Sequence, residues 1–175
     1  MSSASLAAIF AYALAAFLCA RAAGGALHSG QSRRQLVSWR ACTAFYGLLI
    51  VLRLLDAEDQ TRRALRTYIR TSGEYDSRWL LQAPLVAVTL VASVALLVPA
   101  WRAWTRRRSD PCGLLALTGL FAICAFVPLY TLRMISLHSI DGILYGGSLP
   151  LNWVLDLVLV VITGVAAYLY ARRCT

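Results

Sequence analysis

The stretch P-C-G-L-L-A-L-T-G-L-F-A-I-C-A-F-V-P-L-Y-T-L, residues 111–132, carries no charge in 22 residues. A helix needs about 20 mostly apolar residues to cross the hydrocarbon core of a bilayer, so this stretch reads as a span. Four other segments read the same way. Residues 1–20 are uncharged until Arg21, residues 41–55 are interrupted only by Arg53, residues 79–101 carry no charge, and residues 142–171 contain only Asp156. The expected fold is all-α: one polytopic transmembrane helical bundle over residues 1–175, with helices near 4–21, 39–55, 79–103, 112–138 and 149–171.

The composition of the whole chain agrees. Of its residues 59% are hydrophobic and 14% charged, with a mean hydropathy of +0.65. A soluble domain has roughly 25% charged residues, so an ordinary soluble globule is excluded. Disorder and a small disulfide-stapled secreted fold are excluded as well. The first span reads as a retained helix and not a signal peptide. It lacks a positively charged leading segment, and Leu18 before Cys19 is too large for a lipoprotein cleavage site.

All 17 basic residues are Arg. Arg21, Arg33, Arg34 and Arg40 flank the first connection, Arg102, Arg106, Arg107 and Arg108 the third, and Arg172 and Arg173 close the chain. Short Arg-rich loops stay cytoplasmic, which sets the N-terminus outside and the C-terminus inside. The second connection, with five Arg residues against Glu58, Asp59, Glu74 and Asp76, is the segment that argues the other way. The five tryptophans (Trp39, Trp79, Trp101, Trp104, Trp153) fall at expected helix ends, as an interfacial belt would. Cys19, Cys42, Cys112 and Cys174 lie toward the cytoplasmic side and Cys124 mid-membrane, with no C-x-x-C pair, so no disulfide is expected. The net charge of +9 is spread over separate loops without stacking aromatics, so nucleic acid is not an expected partner.

The second connection reads as a surface helix near residues 57–72. Asp56, Glu58 and Asp59 stand at its start and Arg66 and Arg70 near its end, complementing the helix dipole. Glu58–Arg62 and Asp59–Arg63 are acid-first i,i+4 pairs, and Gly73 is the stop. Such a helix either lies solvated on the membrane surface or serves as a lid over a membrane site. Ala7, Ala11 and Ala15 in the first span, and Ala83, Ala87 and Ala95 in the third, mark faces where backbones approach closely. Pro84, Pro99 and Pro128 mark kinks or helix ends.

An ionisable group inside a spanning helix needs a partner or a purpose. Three spans carry such groups toward the outer end. The second ends with Arg53 and Asp56, spaced i,i+3 on one face. The fourth ends with Tyr130, Arg133, His138 and Asp141. The fifth begins with Asn152 and Asp156, with Thr163 further along the same face. Glu74, Tyr75, Asp76, Arg78 and Gln82 precede or open the third. The inner half reads as apolar apart from its Arg rim. Either these groups form buried ion pairs that fix helix register, such as Arg53 or Arg133 with Asp156, or they build a site.

The residues present limit its chemistry. His28 and His138 fall at opposite ends, so a bis-histidine haem site fails, and a three-histidine zinc site fails for want of histidines. No metal site is assigned and no cofactor is named. R-M-I-S-L-H-S-I-D, residues 133–141, is shorter than the R…H…D end of lipid phosphatase motifs, and no P-S-G-H segment precedes it. His138 beside an acid is suited to general-base work on an interfacial substrate.

Three segments carry a family resemblance. G-E-Y-D-S-R-W-L-L-Q (residues 73–82) resembles the G-W-Y-E-Q-R-R-x-x-Q stretch of a family of small, uncharacterised bacterial integral membrane proteins. R-M-I-S-L-H-S-I-D and L-N-W-V-L-D-L (residues 151–157) are similar to that family's R-x-x-S-F-H-H-V-D and N-W-x-L-E-L. The matching positions are Gly73, Tyr75, Arg78, Gln82, Arg133, Ser136, His138, Asp141, Asn152 and Trp153, with Asp76 and Asp156 as acid-for-acid changes. Glu74 replaces a family Trp, and the family's His-His pair is reduced to His138. The resemblance covers about a third of the chain and implies a bacterial inner (plasma) membrane protein, without naming a substrate.

The expected function is therefore an outward-facing polar site for an amphipathic, anionic, lipid-like substrate. His138 and Asp141 would be its acid/base pair and Asp156 a buried carboxylate. Arg53, Arg78 and Arg133 would hold the headgroup by bidentate hydrogen bonds, with Asp56, Tyr75, Gln82 and Asn152 completing the binding set. A membrane assembly subunit that uses the cluster to pair helices is the second reading, and a small oligomeric transporter the third. Expected partners are membrane lipid and a homo-oligomer or partner membrane subunit.

Overall fold

The computed structural model describes residues 3–56, 110–135 and 151–174, with scattered positions between 60 and 105; at 3–4, 131–135 and 151–153 it describes the backbone alone. Four helices carry the fold: α1 (Ser3–His28), α2 (Arg33–Leu54), α3 (Pro111–Ile135) and α4 (Leu151–Arg173). No strand occurs among the described residues. All four are long and apolar enough to cross a membrane. They close a ring in which α1 packs on α2, α2 on α3, α3 on α4 and α4 on α1.

Along α1 large and small side chains are sorted in the sense that lipid demands. The buried seam of α1 is Ala8, Tyr12, Ala15, Cys19, Ala22 and Ala26, while Leu6, Phe10, Leu14 and Phe17 are exposed. Lipid tails are as apolar as leucine, so burying leucine between helices gains little; small residues instead let the backbones approach and gain dispersion contacts. In α2 the seam is Gln35, Trp39, Cys42, Tyr46 and Leu49, alternating steps of four and three residues, the knob spacing of left-handed helix pairs.

The first two spans are longer than expected. α1 continues seven residues past Arg21 to His28, and α2 begins at Arg33 and not near 39. Arginine stems lie along apolar surface with the charge in water, so Arg21, Arg33, Arg34 and Arg40 do not interrupt a helix. What joins the two helices is a tight turn. Gly30 adopts φ +63, and Gln31 N–H reaches back to Ala26 O at 3.1 Å, the Schellman closure that glycine permits. Ser29 Oγ adds a bond to Gly25 O. At α3, Asp110 is the cap: its Oδ1 accepts from Gly113 N–H at 2.9 Å, with Pro111 in the first helical position, where no N–H is needed. Pro128 lies within the helix.

Three further expectations are corrected. Trp39 is fully buried inside α2, 5.3 Å from the Tyr170 ring between centroids, and so does not belong to an interfacial belt; the earlier start of α2 carries it two turns into the bundle. Ala87 and Ala95 are exposed and Ala7 faces outward, so the true seam of α1 runs one position over, through Ala8. Cys112 and Cys174 form a disulfide across 62 residues of sequence. The antiparallel packing of α3 and α4 brings the start of one beside the end of the other, which no local spacing reveals. Trp101 is exposed, as a belt residue would be.

Candidate functional site

The end of the bundle away from the arginine-rich turn is where α2 finishes, α3 finishes and α4 begins, so three helices deliver their polar termini to one place. Asp156 is the deepest of these groups, with 8% of its surface exposed. It stands about 25 Å along α4 from Arg173 at 1.5 Å per residue. Arg53 and Tyr130 are half-buried at the same end. Each of the three makes at least one interaction, as buried polar groups must.

Asp56 stands apart from that trio. α2 stops at Leu54 with Leu55 as its cap, and Asp56 takes a left-handed backbone at φ 47, a conformation that Asp tolerates better than most residues. Its N–H bonds Arg53 O at 3.2 Å and its carbonyl accepts from Gln60 N–H at 3.0 Å. The chain therefore turns sharply here, and Arg53 and Asp56 do not share a helical face as their spacing suggests. Asp56 is exposed. Beyond it, residues 60, 63, 64 and 67 are helical and exposed, with Thr67 Oγ1 bonding Arg63 O at 2.9 Å.

Tyr75, Arg78, Gln82, His138 and Asp141 lie outside the described residues. Arg133 and Asn152 are helical, and their side chains also lie outside the described set. Among the described residues no three His, Cys, Asp or Glu side chains come together as a metal site would require.

Deeper in the bundle the same face of α4 continues to Thr163, fully buried, as the i,i+7 spacing from Asp156 predicts. Tyr46 of α2 donates to its Oγ1 at 3.0 Å. Tyr46 also stands among rings, 6.1 Å from Tyr12 and 5.8 Å from Phe45. Toward the arginine-rich end the Cys42 thiol contacts that of Cys19. Then comes Trp39, whose Nε1 has no hydrogen-bond partner among the described residues, and finally Tyr170 donating to Gln35 Oε1 at 2.9 Å. The half toward the arginine-rich end, expected to be apolar, is thus not apolar within: polar groups are set along the full depth of the interior. The seam spacing of Gln35, Trp39, Cys42 and Tyr46 is the signal in the sequence, masked there by the polar run of Arg33, Arg34 and Gln35.

Compared with known protein families, with characterised proteins and with solved structures, the chain matches none.

Proposed function

We propose that the chain is a multi-pass protein of the bacterial inner membrane, N-terminus outside and C-terminus cytoplasmic. Its polar end, opposite the arginine-rich turn, binds or acts on an amphipathic, anionic, lipid-like substrate. His138 and Asp141 serve as the acid/base pair, Asp156 as a buried carboxylate, and Arg53, Arg78 and Arg133 hold the anionic group, with Asp56, Tyr75, Gln82 and Asn152 around them. The helix near 57–72 covers this end. Asp156 is the observation that carries the reading: a carboxylate withdrawn into an apolar bundle is costly, and such groups mark functional sites by default.

A fifth span is supported by the chain's path. α2 ends at the polar end and α3 starts at the arginine-rich end beside α2's own start, where Gln35 and Gly113 line one recess. The intervening chain has to travel the length of the bundle, and its positions 84, 87–89, 91–95 and 97–98 are helical. That helical run supports the third span expected near 79–103.

The assembly reading has its own support. Gln35–Tyr170 and Tyr46–Thr163 show this interior using polar side chains to join helices, and Asp156 is engaged in turn. Those bonded pairs weigh against a transport path, which needs polar groups open to a passage. The test compares thermal unfolding midpoints of wild type, Asp156→Asn, His138→Ala and Asp141→Asn in a mild detergent. Residues kept for function cost stability, so the variants are expected to unfold at or above the wild-type temperature. A loss of about 3–5 kcal/mol in all three, the cost of orphaning a buried charge, would overturn the enzyme reading in favour of assembly.

A further inference from the structure

Between α1 and α4 a groove of about 460 Å³ opens onto the outer face of the bundle. Its floor is made by small residues, Ala11, Ala15 and Gly164, and its walls by Leu14, Val161 and Val165. At Leu18 and Tyr168 it passes into a second recess of about 420 Å³, bounded by Arg21 and Arg172. Both arginines are exposed, and among the described residues no acidic side chain lines either recess. The two recesses form one trough, apolar along its length and doubly cationic at one end.

The dimensions identify the occupant. From Ala7 to Leu18 the trough follows α1 for about 16 Å, close to the ~15 Å depth of one leaflet's hydrocarbon. Arg21 lies one helical turn beyond Leu18, and an arginine stem there reaches a headgroup phosphate by lying along apolar surface. A second copy of the chain is a poorer occupant. A two-fold contact through this face would set Arg21 and Arg172 against the same charges of the partner at the same depth.

We propose that this trough binds one anionic phospholipid of the leaflet at the arginine-rich end. One acyl chain lies over Ala11, Ala15 and Gly164, and the phosphate rests between Arg21 and Arg172. Its headgroup end stands about 24 Å along α4 from Asp156 at 1.5 Å per residue, and the proposal does not depend on what the polar end does.

The test is native mass spectrometry of the full chain loaded with phosphatidylglycerol or phosphatidylcholine at equal concentration. Wild type is expected to retain phosphatidylglycerol preferentially. Arg21→Gln/Arg172→Gln removes two headgroup contacts and should cost about twenty-five-fold in that preference, at about a factor of five per arginine. Arg33→Gln/Arg173→Gln, with the same charge removed outside the trough, should keep it. Gly164→Leu fills the floor while leaving both arginines, and the Cβ it shares with Gly164→Ala lies 3.6 Å from Leu18 Cδ1, an ordinary contact. It should lower retention of both lipids, and Gly164→Ala serves as the milder variant. Equal retention of the two lipids by wild type, or equal losses in the two arginine pairs, overturns the proposal. So does a wild-type dimer that Gly164→Leu dissociates, which would assign the trough to a second copy.

Discussion

Tyr46 donates a hydrogen bond to Thr163 Oγ1 across the centre of the bundle, and Thr163 donates in turn to Leu159 O at 2.9 Å. The two ends of this relay are unequal. Tyr46→Phe leaves Thr163 bonded to its own helix, at a cost of about 0.5–1.5 kcal/mol for the lost bond. Thr163→Val keeps the volume but strands a buried tyrosine hydroxyl, at a cost of about 1–3 kcal/mol. Unfolding in detergent should rank the valine variant below the phenylalanine one; the reverse order would mean that Tyr46 finds another acceptor.

Gly119 and Gly164 make a matched pair. A Cβ on Gly119 would meet Trp39 Cζ3 at 2.9 Å and Cη2 at 3.2 Å, and the indole is itself backed by the Tyr170 ring with no exposed surface. Gly119→Ala should therefore destabilise by about 1–3 kcal/mol through overpacking. Gly164→Ala meets only Leu18 Cδ1 and gains helix propensity, so it should be neutral or stabilising by up to about 1 kcal/mol. Parallel thermal melts of the two alanine variants check the contrast.

Helix existence was legible because uncharged runs of spanning length can be counted, and α3 shows it most plainly. Helix ends were less so. Arg33, Arg34 and Gln35 look like loop in a polarity count, yet Gln35 is buried against Tyr170. That single misplacement of the start of α2 hid Trp39 in a belt and emptied the inner half of its polar groups. The Asp156–Thr163 stripe was legible because both residues belong to one helix. Their partners on other helices, Tyr46 for Thr163 and Cys112 for Cys174, depend on which faces meet, and no one-dimensional spacing encodes that.

The Cys112–Cys174 bond offers a check on sidedness. Purified without reductant, the denatured chain should show three maleimide-reactive thiols, those of Cys19, Cys42 and Cys124, and five after reduction. Cys112→Ser/Cys174→Ser should lower stability by about 2 kcal/mol, the low end for a disulfide, since spans held in lipid restrict the unfolded chain already. With the arginine-rich end in the cytoplasm, acid-quenched cells should yield the same pair as thiols, because that compartment keeps cysteines reduced. A fully oxidised pair in quenched cells would place this end outside and reverse the proposed orientation.

That same bond closes residues 112–174 into a covalent ring running through both α3 and α4. A protease cut anywhere in the link between these helices would then open the ring without releasing a fragment. Under oxidising conditions the nicked chain would migrate as one species, and only a reductant would part it into two membrane-embedded pieces.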